Sequence, residues 1–229
     1  MSLEQKIEEA LSVLRRASQD FDPTVMASSL GAEDMVLTDL IWKNDLPVEI
    51  FTLDTGRLPE ATHRLLSLVH DHYGKAIRVY FPKSEDVEQV VSQYGINGFY
   101  HHMEGRKACC RARKVAVLQR ALQSRRAWIT GLRREQSPTR QSVQTVSWDE
   151  EHGLVKLSPL AEWTRDDVWE YLRLYNVPYN ALHDQGYTSI GCAPCTRAVR
   201  EGEDERAGRW WWEHPESREC GLHLTKESA

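Results

Sequence analysis

The chain has 229 residues, 41% of them hydrophobic, and a net charge of -5. That length fits one large domain, or one domain with an appended subdomain, and that hydrophobic share can bury a full core. The acidic balance argues against a general nucleic-acid binder, and no apolar run approaches the roughly 18 residues of a membrane span.

Residues 3–19 read as an amphipathic helix, with Leu3, Ile7, Leu11 and Leu14 at helical spacing. Residues 1–20 are charged and carry no apolar signal region, so a cytoplasmic location is expected, where thiols stay reduced. A short apolar strand at 25–28 runs into Ser28-Ser29-Leu30-Gly31-Ala32-Glu33-Asp34, then a helix with Met35, Val36, Leu40 and Ile41 inward. A strand, a Ser/Gly turn and a helix N-terminus suit a bound anion, because backbone N–H groups and hydroxyls converge there. The turn lacks the G-K-[ST] of a Walker loop, and an ordinary helix cap is the alternative.

Residues 47–53 have a buried-strand pattern that ends in the loop Asp54-Thr55-Gly56-Arg57. A helix over 59–73, a strand over 76–81 and a helix over 84–94, capped by Ser84, follow. Alternating strands and helices predict an α/β fold with a parallel sheet, whose ligands bind beyond the carboxyl ends of the strands. Residues 95–105 read as a loop, and a helix over 106–123 carries Cys109 and Cys110 in its first turn, where a thiolate is favoured. Lys114 falls four residues beyond Cys110, on the same face. A strand at 127–130 leads into Gly131-Leu132-Arg133-Arg134-Glu135-Gln136-Ser137-Pro138-Thr139-Arg140, a polar loop with three arginines that reads as an anion clamp. Residues 144–148 and 154–157 form a hairpin, and a helix capped by Thr164 covers 164–175, with Trp163, Val168, Trp169 and Leu172 as core. At least one of Trp210, Trp211 and Trp212 is expected in the core.

The five cysteines carry the functional signal. Cys109 and Cys110 are adjacent, Cys192 and Cys195 form a C-x-x-C in a Gly/Pro turn, and Cys220 stands apart with His223 three residues on. Four thiolates suit a closed metal or cluster site, leaving the fifth to react. Zinc sites draw on paired knuckles, whereas two adjacent cysteines send their sulfurs apart and suit the separate corners of an iron–sulfur cube. Zinc and a redox-active C-x-x-C pair are the alternatives.

These motifs together resemble the assimilatory sulfonucleotide reductases, in particular the iron–sulfur adenylylsulfate (APS) reductases of bacteria. The resemblance runs over about residues 24–223. It is carried by the Ser28–Asp34 turn, Leu53-Asp54-Thr55-Gly56, Cys109-Cys110, Gly131-Leu132-Arg133-Arg134-Glu135-Gln136-Ser137, Cys192-x-x-Cys195 and Glu219-Cys220-Gly221-Leu222-His223. The four-cysteine pattern together with ECGLH is the specific part. The resemblance implies an adenine-nucleotide α-hydrolase-like (Rossmann-like) fold, mostly parallel, with helices on both faces. It implies a nucleotide-binding domain over 1–190 and a C-terminal cysteine-containing segment over 191–229.

The resemblance further implies a [4Fe–4S] cluster on Cys109, Cys110, Cys192 and Cys195, and Cys220 as nucleophile. Substrate would meet Ser28, Ser29, Asp54, Thr55, Lys114, Arg133, Arg134, Arg206, Arg209 and His223. Ser-Ser-Leu-Gly stands where some relatives have Ser-Phe-Ser-Gly, which leaves the hydroxyl contact open. The implied partners are the small nucleotide and thioredoxin or a glutaredoxin-like reductant, supplied as a separate protein. Neither nucleic acid nor membrane is expected, and a homo-oligomer is left open. Rival readings are a 3'-phospho-APS (PAPS) reductase, a tRNA-thiolating enzyme of the same fold, and a non-enzymatic cluster sensor.

Overall fold

The computed structural model describes residues 1–137 and 140–214. Six strands form one sheet in the order β3-β2-β1-β4-β6-β5. They are β1 (Thr24–Ala27), β2 (Glu49–Leu53), β3 (Arg78–Tyr80), β4 (Ala127–Ile129), β5 (Val146–Asp149) and β6 (Leu154–Leu157). All neighbouring pairs are parallel except the β5–β6 hairpin at one edge. Helix α1 (Leu3–Asp20) precedes β1, α2 (Ala32–Lys43) and α3 (Glu60–Tyr73) connect β1 to β2 and β2 to β3, and α4 (Ser84–Tyr94) follows β3. Among the described residues no helix is long and apolar enough to cross a membrane.

Strand residues alternate between faces, and the two faces carry separate cores. Met26, Ile50, Ile129 and Leu157 pack with Leu11 and Leu14 of α1, Met35 and Ile41 of α2, and Leu65 of α3. The same core takes Val168 and Leu172 of α7 (Arg165–Leu174), and Trp163 beside it. On the other face Val25, Phe51, Trp128 and Leu154 pack against Leu118 and Ala121 of α6 (Ala116–Ala121). A third, smaller core off the sheet holds Phe99, Cys110, Cys192, Cys195 and Trp210. Trp169 is only partly buried against the first core.

Thr164 caps α7 as expected: its hydroxyl accepts from the Asp167 N–H, and Asp167 returns the bond. Two expectations shift. Ser84 is the first helical residue of α4, and Lys83 takes the cap position without a side-chain bond. The cysteine-bearing helix begins earlier than its charge pattern implies. It starts at Met103 as α5 (Met103–Cys110), passes through a π-helical turn (Arg111–Val115) and continues as α6. Cys109 and Cys110 therefore end α5, and the helix dipole cannot favour their thiolates as a first-turn position would.

The chain winds outward from β1 to β2 and β3, then returns to β4 on the other side of β1. The loops after β1 and β4 leave the sheet side by side at this reversal, where open α/β sheets bind ligands.

Candidate active site

The turn after β1 is built tightly. Ser28 N–H donates to Phe51 O at 2.8 Å, and Leu30 N–H to Ser28 Oγ at 3.2 Å. Leu30 has φ of 62°, in the left-handed region that side chains disfavour. Ser29 donates its N–H and its hydroxyl to Asp34 Oδ2, at 2.6 and 2.7 Å. Asp34 thus draws on the type of donor that an anion uses. Burial pushes its carboxyl up to about 6, against the pull of the Ser29 hydroxyl and N–H. The loop after β4 approaches closely because residue 131 is glycine: a Cβ there would lie 2.3 Å from Asp34 Oδ1.

Between these loops lies a cavity of about 200 Å³. Ala27, Phe51, Leu53 and Leu118 line an apolar part; Ser28, Ser29 and Thr55 supply hydroxyls; Lys114, Arg140, Arg206 and Arg209 supply positive charge. Such a space accepts a flat apolar ring joined to an anion. Arg209 reaches it across Gly191, where a Cβ would fall 2.2 Å from the guanidinium. Its guanidinium carbon stands 4.6 Å from the Trp210 ring centre.

Cys109, Cys110, Cys192 and Cys195 line a second, narrow cavity of about 20 Å³, with Arg57, Arg113 and Lys114 around them. Ala193 N–H donates to Arg57 O at 2.8 Å, Cys195 N–H to Cys192 O at 2.9 Å and Trp210 N–H to Cys195 O at 3.2 Å. Thr55 Oγ1 lies 3.2 Å from Cys192 Sγ. Burial opposes the Cys192 thiolate, yet Lys114, Thr55, Arg209 and Arg113 outweigh it and hold the thiol below its ordinary range. Burial and the neighbouring Cys192 push Cys195 up to about 12. Among the described residues no three His, Cys, Asp or Glu gather closely enough to hold a single metal ion. One zinc ion would draw four sulfurs to about 4 Å of one another, whereas a four-iron cube spreads its thiolates over four corners. The donor set fits the larger body. The buried indole N–H of Trp210 finds no acceptor among the described residues, which leaves a donor for cluster sulfur. Lys114 and Trp210 line both cavities and form the partition between them.

Of the residues singled out from sequence, Ser28, Ser29, Thr55, Lys114, Arg206 and Arg209 line the large cavity. Asp54 instead braces its own turn, accepting from Gly56 N–H at 2.8 Å and meeting His63 Nε2 at 2.9 Å. Arg134 turns away to Val143 O at 2.7 Å and to Glu162. Arg133 is buried among carboxylates. Cys220 and His223 lie outside the described residues. Sequence reading missed Arg106, which is buried, pairs twice with Glu213 at 2.9 Å and stacks 5.1 Å from the Trp210 ring. It also missed His183 and Glu205 in the wall of the large cavity. No local pattern marks an isolated His or Glu for such a place; only the fold brings them there.

Residues 23–198 match the phosphoadenosine phosphosulfate reductase domain. The chain is 54% identical to the adenosine 5'-phosphosulfate reductase of Allochromatium vinosum, over 93% of this chain and 84% of that protein. It is 48% identical to the protein of the same name from Burkholderia cepacia, over 97% and 89%. Among solved structures it resembles the phosphate complex of phosphoadenylyl-sulfate (PAPS) reductase from Candida auris. The TM-score is 0.71 at 27% identity, covering 87% of this chain and 98% of that one. The FMN adenylyltransferase of Candida glabrata, at 16% identity and a TM-score of 0.59 over 98% of this chain and 80% of that one, shares the fold.

Proposed function

The chain belongs to the phosphoadenosine phosphosulfate reductase family, and from that premise we infer that it reduces adenylylsulfate to sulfite and AMP in sulfate assimilation. The observation that carries the reading at the site is the shared wall. A cavity with an apolar slot and a cationic end meets the four-cysteine cavity through Lys114 and Trp210.

The substrate is a mixed anhydride of sulfate and AMP, and negative oxygens around its sulfur repel an approaching thiolate. Lys114, Arg206 and Arg209 offset that charge and stabilise AMP as it leaves. Ser28, Ser29 and Thr55 provide hydroxyls along the nucleotide. The Cys220 thiolate attacks sulfur, the bond from sulfur to the AMP phosphate oxygen breaks, and an S-sulfonate forms on Cys220. A thioredoxin thiolate then attacks the Cys220 sulfur. Sulfite leaves with the bonding electron pair, and the second thioredoxin thiol resolves the mixed disulfide. A cationic site favours the thiolate form of a cysteine that reacts there. When bound, a [4Fe–4S] cluster on Cys109, Cys110, Cys192 and Cys195 supplies structural and electrostatic support, since thioredoxin brings both electrons. In this reading residues 1–190 form the nucleotide domain and residues 191–229 the cysteine-bearing segment.

The test is direct. APS mixed with the protein in the absence of thioredoxin should add about 80 Da to the Cys220 peptide, as a stable covalent intermediate requires. Reduced thioredoxin should remove it and release sulfite. Cys220→Ser should retain iron and form no adduct; sulfite production by that variant would end the assignment. Faster turnover of PAPS than of APS would move the chain to the 3'-phosphate branch.

A further inference from the structure

Arg133 follows β4, and its side chain is fully shielded from solvent. Its guanidinium is spent on three carboxylates. Nε donates to Glu33 at 2.7 Å, Nη2 to both Glu205 oxygens at 3.1 and 3.4 Å, and Nη1 to Glu135 at 3.4 Å. Gln136 closes the knot: its Nε2 donates to the same Glu33 oxygen at 2.9 Å, and its Oε1 accepts from Arg133 N–H at 3.2 Å.

The partners belong to separate parts of the cavity. Glu33 is in the first turn of α2, directly after the anion loop. Glu205 immediately precedes Arg206, in a turn closed by Ala207 N–H to Asp204 O at 2.9 Å and Arg209 N–H to Arg206 O at 2.9 Å. Arg133 therefore joins stretches 100 and 72 residues from it in the chain.

We propose that Arg133 is a positioning residue, which fastens the anion loop to the Arg206–Arg209 turn and fixes their spacing without touching the nucleotide. The proposal rests on the reductase reading above for the identity of its ligand. A buried carboxylate that loses its hydrogen-bonded counter-charge is costly and moves toward its neutral form. Without Arg133, Glu33 and Glu205 would stand ionised in the cavity wall at high pH and repel an anionic nucleotide. Lowering the pH would neutralise them. Burial already raises Glu205, with Arg133 pulling the other way. Burial also works against ionised Glu33, and Arg133 and Gln136 overcome it. The other charged or titratable groups facing this knot are Asp34 on α2, Glu135 on the β4 loop, Arg165 on α7 and His183 from the segment after it. Arg140, Arg206 and Arg209 complete the cavity wall.

The experiment uses the full chain with its iron content checked, and AMP as the probe in calorimetry at pH 8 and pH 6. Arg133→Met should weaken AMP binding by about 100-fold at pH 8, as loss of one partner of a buried pair implies. The loss should shrink by at least about tenfold at pH 6, and Arg133→Met combined with Glu205→Gln should regain a similar factor at pH 8. Binding equal to the parent at pH 8, or a loss indifferent both to pH and to Glu205→Gln, would overturn the proposal. Arg133→Lys covers the case in which Arg133→Met fails to fold. It keeps the charge but loses the three-way fork, so its AMP affinity should fall about tenfold with little pH dependence; parental affinity and turnover would overturn the proposal. Thermal midpoints without nucleotide read the same knot: that of Arg133→Met should approach the parent as pH falls from 8 to 6. A parent that binds AMP but does not reduce APS would end the reductase reading and leave this test intact.

Discussion

Asp34 shows how a single side chain carries two duties. It orders the anion loop through Ser29, and its buried carboxyl is pushed up to about 6 from an ordinary 3.8. A folded-state value above the unfolded one means that the fold favours the protonated form. Its contribution to stability is fully present below about pH 3.8 and is lost as pH rises through about 6. Two units correspond to roughly 3 kcal/mol. Asp34→Asn should therefore gain on the parent in urea midpoint as pH rises from 4 to 7.5; a difference that stays flat over that range would contradict the assignment. Sequence reading reached this loop through its serines and glycine. It could not weigh Asp34, because the close approach of Gly131, 97 residues away in the chain, exists only in the fold. The same limit applies to Arg133. An arginine-rich loop reads as an anion clamp, and only the placement of Glu33 and Glu205 reveals that this guanidinium is already engaged.

At the scale of elements, strands were legible because short apolar runs end in turn residues, and all six fall where such runs lie. The helix that carries Cys109 and Cys110 was only half legible. Glycine and histidine at its start hid the turn from Met103, and no residue type announces a π turn. Such a turn holds one more residue than an α-helix needs, and these turns occur often at functional sites. Here it contains Arg113, which donates to Thr55 O at 2.6 Å, and Lys114, which lines both cavities. Deleting Ala112 should restore an α-helical turn while keeping α5 and α6 in phase. The variant should fold and bind iron, because both cysteines precede the deletion. Its kcat/KM should drop by about 100-fold, the scale of a misplacement near 1 Å. Unaltered kcat/KM would show that the π turn does not aim these two cations.

The whole molecule is acidic, with a net charge of -5, yet it gathers Lys114, Arg140, Arg206 and Arg209 at one cavity. The acidic balance argued against a general nucleic-acid binder; the cysteine pattern pointed to what is the narrow cavity of the structure, and the strand–turn–helix pattern after β1 pointed to the large one. The separation of cores has a consequence for how the protein comes apart. Phe99, Cys110, Cys192, Cys195 and Trp210 form an island of their own, off the sheet, drawn from two distant stretches of chain. If the proposed cluster cross-links that island, removing iron would loosen it and leave the two sheet cores intact. Regions of one domain can open independently when few apolar contacts bind them together. Chelation should therefore melt the island alone: amide exchange should accelerate over residues 98–114 and 191–212, while β1, β2 and β4 stay protected and far-ultraviolet dichroism changes little. Uniform deprotection of the sheet would mean instead that the cysteine island and the nucleotide fold share one cooperative unit.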